Sequence, residues 1–213
     1  MVLKRTIVLG LLLVGFVLSA TANPLPSVGC WWEDPTTTVL GLFGTGDPPI
    51  IATNVTAPDP VFEGERSLRL EDNSPSGTPQ AFLCYIWDLN DGDVVTAWFM
   101  RYDDTPTSAP SCRIWGHWND ELPDNPEGYS GSAGGNSDYG ADEGWGLLEH
   151  TWTVEGGHTG LVIEVRTYSS PGDVVWIDAF EVIPPDDCVV QTPEMLVVGT
   201  ESQTLSDVKA LFR

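Results

Sequence analysis

Positive charge is scarce in this chain of 213 residues: nine Lys and Arg stand against 31 Asp and Glu, for a formal net charge of −22. Contacts to phosphate need Lys and Arg, so nucleic acid and anionic membranes are excluded as partners. Long apolar runs are as few. The one from Ile7 to Leu18 is about a dozen residues, short of the roughly twenty that span a bilayer, and no later stretch is long or apolar enough to do so. Histidine occurs only at His117, His150 and His158, with no HExxH spacing. There is no GxSxG elbow, no CxxC pair and no His/Cys cluster at zinc spacing, which excludes the commonest hydrolase nucleophile and a structural zinc. Helical periodicity is almost absent.

The N-terminus has the parts of a secretory signal peptide. Lys4 and Arg5 precede the apolar run, and Ala20-Thr21-Ala22 ends it as an A-x-A cleavage site. Residues 1–22 are therefore expected to be removed, which takes the net charge from −22 to −24 by loss of two basic residues. No cysteine follows in a lipobox-like setting. The protein is expected to be secreted or at the cell surface, as a monomer. Its acidity suits a neutral or cationic ligand, a calcium-rich or saline setting, or simply solubility. Four cysteines, Cys30, Cys84, Cys112 and Cys188, are an even count in an exported chain and read as two disulfides with three possible connectivities.

Short β-branched and aromatic runs recur between Gly, Pro, Asn and Asp clusters, which predicts an all-β, two-sheet antiparallel sandwich in residues 23–188. Strands are expected near 38–43, 49–54, 66–71, 80–88, 94–103, 111–118, 147–154, 160–168 and 174–183. Turns fall at Asn90–Asp93 and Ser169–Asp173. A segment rich in Gly, Ser, Asn and Asp runs from Trp118 to Trp145, long enough to be functional or mobile. Residues 189–213 read as a tail: a linker or loosely attached strand, then a short helix in 204–213 capped by Thr204 or Ser206.

Strand alternation yields a candidate binding surface. In 81–88, Phe82, Cys84 and Ile86 share one face, while Leu83, Tyr85 and Trp87 share the other. In 111–118, Cys112 and Ile114 oppose Arg113, Trp115 and His117. If Cys84 bonds Cys112, the cysteines turn inward and Tyr85, Trp87, Arg113, Trp115 and His117 meet on the free face, with Trp118, Asn119 and Asp120 at its rim. Cys30 and Cys188 would then clamp the first and last strands. Aromatic rings stack on the C–H faces of sugars while Arg, Asn, Asp and His bond the hydroxyls. The plainer reading of the nine tryptophans is core packing, and Trp98, Trp152 and Trp176 are assigned to it. Of the adjacent Trp31 and Trp32, at most one points inward.

Three segments carry a resemblance: VFEGERSLRLED at 61–72, DGDVVTAWFMRYDD at 91–104 and GDVVWIDAFEVIPP at 172–185, with CWWED at 30–34 in the place of an opening acidic segment. Together they resemble the jelly-roll carbohydrate-binding modules of bacterial xylanases and cellulases, within the galactose-binding-like group. Ala179 departs from the closing motif, which usually has a second Asp there, and the two-disulfide framework is also unusual. The resemblance implies a jelly roll that binds glycan on a concave sheet face or in the loops at one end. It also implies a structural calcium ion near Glu33 and Asp178, with the backbone around Glu65–Ser67 completing the shell. Two acidic residues facing solvent is the plainer alternative.

The expected function is a secreted, non-catalytic module recognising polysaccharide through Tyr85, Trp87, Arg113, Trp115, His117 and Trp118. A structural or adhesive surface domain without glycan binding, and an enzyme, either a polysaccharide lyase using His117, Arg113 and Tyr85 or a glycoside hydrolase, are the competing readings. Paired carboxylates would serve a hydrolase, but 31 acidic residues make chance pairs common. Asn54-Val55-Thr56 is a glycosylation sequon, relevant in a eukaryotic host.

Overall fold

The computed structural model describes residues 27–104, 112–136, 144–168, 170–198 and 201–204. The expected signal peptide lies outside the described residues, as does the expected C-terminal helix except for Thr204, which ends a strand.

All regular structure among the described residues is β. In chain order the strands are β1 (Val28–Cys30), β2 (Gly41–Phe43), β3 (Ile50–Thr56), β4 (Arg66–Asp72), β5 (Gln80–Trp87), β6 (Val94–Asp103) and β7 (Arg113–Trp118). They continue as β8 (Gly131–Gly135), β9 (Gly144–Thr153), β10 (Gly160–Arg166), β11 (Val174–Ile183), β12 (Val189–Gln191), β13 (Met195–Val198) and β14 (Glu201–Thr204). Two antiparallel sheets result. The first runs β3-β4-β11-β6-β9 with β1 on β11, and the second runs β14-β13-β12-β5-β10-β7-β8 with β2 on β5. Gly92 and Gly172 take the left-handed conformation in the two turns read from the sequence, with φ of 94° and 92°.

Between the sheets lies a core of Leu68, Leu70, Phe99, Leu148, Ile177 and Phe180 from the first, against Leu83, Ile86, Ile114, Leu161, Ile163 and Val190 from the second. Burying each such side chain contributes about 1.5–3 kcal/mol. Trp152 joins this core, and Trp176 is buried on the outer side of the first sheet with its Nε1 donating to Asp59 Oδ1 at 3.1 Å. Trp98 is only half-buried, contrary to its expected core place: Ala97 and Phe99 flank it and take the inward positions. Trp32 is fully buried and Trp31 half-buried.

The expected disulfides are not formed; none of the four cysteines is bridged. The topology explains it. Strand β10 lies between β5 and β7, so Cys84 and the residue beside β7 are two strand spacings apart, about 9–10 Å, whereas bridged Cα atoms sit about 4–7 Å apart. Cys84 also pairs with Ile163, while Arg113, next to Cys112, pairs with Arg166 further along β10. Cys30 belongs to the first sheet and Cys188 leads into β12 of the second.

All four cysteines are at most 2% exposed. Burial pushes the Cys84 thiol well up, the Cys30 thiol likewise with help from nearby Glu194, and the Cys188 thiol to about 12 with help from Asp93. Thiolate is the reactive form, so a thiol reagent is expected to label none of them in the folded protein and all four in denaturant without reductant. Reductant is expected to leave Tm unchanged. A reductant-dependent Tm, or fewer than four thiols, would contradict this arrangement.

Candidate binding cleft on the second sheet

The outer face of the second sheet is built from β5, β10 and β7 in register. Gln80, Arg166 and Arg113 form one row, Phe82, Glu164 and Trp115 the next, and Tyr85, Val162 and His117 a third. The register between β5 and β10 shifts at Ile163/Glu164: Ile163 pairs with Cys84 and Glu164 with Phe82, so Leu83 is an extra residue. This β-bulge breaks the alternation. Ala81, Leu83, Cys84 and Ile86 face the core, while Phe82, Tyr85 and Val162 pack together outside with Leu40, Trp87 and Leu122.

Five of the six residues read from the sequence are therefore brought to one face: Tyr85, Trp87, Arg113, Trp115 and His117. Trp118 is not. It lies one residue beyond His117 and turns inward, joining the core and stacking on the His158 ring at 4.8 Å. Phe82, expected inside, is the central aromatic outside, with His117 at 5.4 Å and Tyr85 at 6.3 Å between ring centroids.

The segment after Trp118 folds over this face. Asn119 is fully buried; its Nδ2 donates to Asn125 O at 2.9 Å and its Oδ1 accepts from Glu121 N at 3.1 Å. Ser130 N donates to Trp118 O at 2.7 Å and Ser130 Oγ accepts from Asp120 N at 3.0 Å. A Cβ at Gly128 would meet Asn119 Oδ1 at 2.5 Å, so the tight path needs glycine there. Burial raises the Asp120 carboxyl, but bonds from Thr159 N–H, His158 and Ser130 outweigh it and hold it below the ordinary value. The loop so tied presents Tyr129, 66% exposed, with its ring 5.5 Å from His117.

A cleft of about 390 Å³ opens here, with Phe43 and Tyr129 exposed on its walls and Gln80, Phe82, His117 and Arg166 among its lining. A second hollow of about 240 Å³, lined by Leu40, Tyr85 and Pro126, shares Phe82 and Glu127 with it. Phe43 and Tyr129 were not singled out from the sequence. The long segment between Trp118 and Trp145 was a signal for Tyr129; nothing in the sequence placed Phe43 opposite it.

Charge is buried beneath the aromatics. Glu164 is fully buried and its Oε1 accepts from Arg166 Nε at 2.9 Å and Nη2 at 2.7 Å. His117 Nδ1 stands 3.7 Å from the same oxygen, and neither His117 Nδ1 nor Glu164 Oε2 has a hydrogen-bond partner among the described residues. Both arginines lie against Trp115, Arg113 at 4.5 Å and Arg166 at 4.9 Å from its ring centroid, and Trp115 Nε1 donates to Ser132 Oγ at 3.1 Å.

Glu33 and Asp178 both meet the 62–65 loop at the first sheet. Asp178 is fully buried; its Oδ2 accepts from Phe62 N at 2.9 Å and Glu63 N at 3.1 Å, and its Oδ1 from Ala179 N at 2.7 Å. Glu33 Oε1 accepts from Glu65 N at 3.0 Å across Gly64, whose φ is 76°. Burial raises the Asp178 carboxyl, with the Glu33 charge adding to it, against the lowering effect of the three N–H bonds. Among the described residues no three His, Cys, Asp or Glu gather within metal reach. The pair fits a hard cation only if backbone carbonyls supply most of its six to eight oxygens.

No family model matches the sequence, and no curated protein does either. Solved structures do match. One is the tandem pair of modules CBM22-1 and CBM22-2 at the N-terminus of Xyn10C from Paenibacillus barcinonensis, with a TM-score of 0.52, 12% identity, and coverage of 78% of this chain and 47% of that one. The chain has the fold of a jelly-roll carbohydrate-binding module. A second match is the arabinose-bound MgGH51 α-L-arabinofuranosidase, with a TM-score of 0.52, 11% identity, and coverage of 76% of this chain and 27% of that one. The xylan-binding domain CBM22-1 of the same Paenibacillus barcinonensis Xyn10C aligns with a TM-score of 0.47 and 15% identity over 75% of this chain and 93% of its own. In the two larger structures the chain corresponds to one part only.

Removing one partner of a buried ion pair leaves an uncompensated charge. Arg166→Met is therefore expected to lower stability by about 3–5 kcal/mol in urea unfolding, and Arg166→Met with Glu164→Leu to recover most of that loss. Equal stability of the single variant and the parent would show that the pair is not desolvated.

Proposed function

We propose that the chain is an exported, non-catalytic module that binds polysaccharide in the cleft of the second sheet. The observation that carries this reading is the pair of exposed aromatics, Phe43 and Tyr129, over a floor containing Gln80, His117 and Arg166. A pyranose ring has flat C–H faces for the aromatic walls and hydroxyls for planar donors and acceptors below, and the lining provides both. Through Phe82 and Glu127 the cleft adjoins the hollow lined by Tyr85, and on the other side its lining residue Arg166 packs on Trp115, so the face suits a chain longer than one sugar. The fold held in common with carbohydrate-binding modules supports the assignment at the level of architecture.

Affinity electrophoresis through xylan, β-glucan, alginate and chitin tests the reading, with retardation expected in at least one. Tyr129 is largely solvent-exposed, so Tyr129→Ala is expected to weaken binding about tenfold, or about 1.4 kcal/mol, with a stability change within about 0.5 kcal/mol. Trp115→Ala is expected to act in the same direction. Unchanged migration of the parent in every polymer, or release of sugar products, would overturn the proposal.

In the same reading Glu33 and Asp178 hold a structural calcium ion, with backbone carbonyls around Glu65–Ser67 completing its shell. Calcium at a hundredfold excess over Kd is expected to raise Tm by about 5–10 °C, and Asp178→Asn or Glu33→Gln to remove the increment. The raised Asp178 carboxyl gives the sign of the pH dependence. Without metal, its contribution to stability is fully present below the ordinary aspartate value and is lost as pH rises through the folded-state value. Calcium needs the ionised form, so its increment should grow with pH over that same range. An increment that is absent in the parent, or unchanged in both variants, would exclude the site.

A further inference from the structure

Arg113 and Arg166 face each other directly across β7 and β10. Like charges directly opposite on one sheet face are destabilising. The placement is all the more pointed in a chain with nine basic residues, of which the described part contains five, all arginine: Arg66, Arg69, Arg101, Arg113 and Arg166. Glu164 neutralises Arg166. Nothing described neutralises Arg113. Its guanidinium forms no ion pair or hydrogen bond with any described residue, and its Nε is buried without a partner. Two rings hold it in place, Trp115 at 4.5 Å and Tyr168 at 5.5 Å from its Cζ. The result is a cation fixed by stacking, with its fork of donors unspent, beside the cleft that Arg166 lines.

We propose that Arg113 receives a carboxylate of the bound polysaccharide, so that the ligand is a uronate-bearing chain and not the neutral or cationic one that the net charge of −22 suits, one local cation answering one carboxylate. A planar guanidinium held against aromatic rings suits a carboxylate, which it can grip with two parallel N–H bonds. The sugar ring bearing that carboxylate would lie next to Trp115. The other charges on the cleft are consistent with one acidic subsite: Arg166 is paired with Glu164, His117 lies on the floor, and the lining carboxylate Glu127 stands at the end shared with the Tyr85 hollow. This inference rests on the binding cleft proposed above.

The test compares glucuronoxylan, alginate and polygalacturonate, each beside its carboxyl-reduced form, with the full chain at one ionic strength of about 0.15 M, where charges beyond about 8 Å are screened. At least one acidic polymer is expected to bind about tenfold or more tightly than its reduced form. Arg113→Gln is expected to bring the ratio of the two affinities to about one, whatever it does to binding of the reduced form, and Arg113→Lys to restore only part of the ratio because it lacks the fork. Equal affinity of the parent for every acidic polymer and its reduced form would overturn the uronate assignment alone. Failure to bind any of the six, with xylan, β-glucan and chitin also unbound, would overturn the cleft itself. An Arg113→Gln protein with unchanged Tm and unchanged discrimination would overturn the role of Arg113.

Discussion

One extra residue in β5 decides which side chains of the second sheet meet solvent. Leu83 is inserted against β10, and on its two sides the alternation runs in opposite phase. Before it, Phe82 points out; after it, Cys84 and Ile86 point in and Tyr85 points out. Without the insertion a continuous strand would carry either Phe82 or Tyr85 into the core, and the aromatic row across Glu164 and Val162 would be broken. A bulge also increases local twist, and it falls beside the row where Glu164 is buried. Backbone irregularity and site therefore coincide.

The charged groups of that face are ordered by desolvation. A fully buried carboxylate is tolerated only with a partner, and Arg166 gives Glu164 two hydrogen bonds on one oxygen. That fixes Arg166 along the floor and sets the guanidinium against Trp115. His117 is kept near the same oxygen between Phe82 and Tyr129. The aromatic walls are thus supported from below by polar groups whose own positions are constrained, and a binding site gains specificity from such support.

Much of the architecture was legible in the sequence because half-buried strands have a period of two and their turns use Gly, Asn, Asp and Pro. The strands read from residues 38 to 183 each appear, none of them shifted by more than three residues at an end. What failed were features that depend on who neighbours whom. The Cys84–Cys112 bridge assumed β5 and β7 were adjacent, and β10, more than forty residues later in the chain, takes the place between them. The bulge has no sequence mark, since Leu83 and Phe82 are both apolar and either suits a core. Trp118 continued a favoured run but fell on the wrong parity. Strand β8, built of GSAGG, lacks every β-propensity signal and exists because β7 offers it an edge. The short pieces β12 to β14 extend the second sheet by pairing with β5 and with one another.

Asn54 shows how a sequence motif can be spoken for by the fold. Its Nδ2 donates to Trp32 O at 2.6 Å, Asp34 O at 2.9 Å and Thr37 O at 3.0 Å, and its Oδ1 accepts from Arg66 Nε. The amide that an oligosaccharyl enzyme would modify is the knot that ties the 32–37 turn to β3. A secretory host that attaches sugar before the chain has folded puts a bulky group on that nitrogen and leaves those carbonyls short of a donor. Production in such a cell and production in a bacterium are then two different materials, distinguished by whether the turn carrying Glu33 is fastened down.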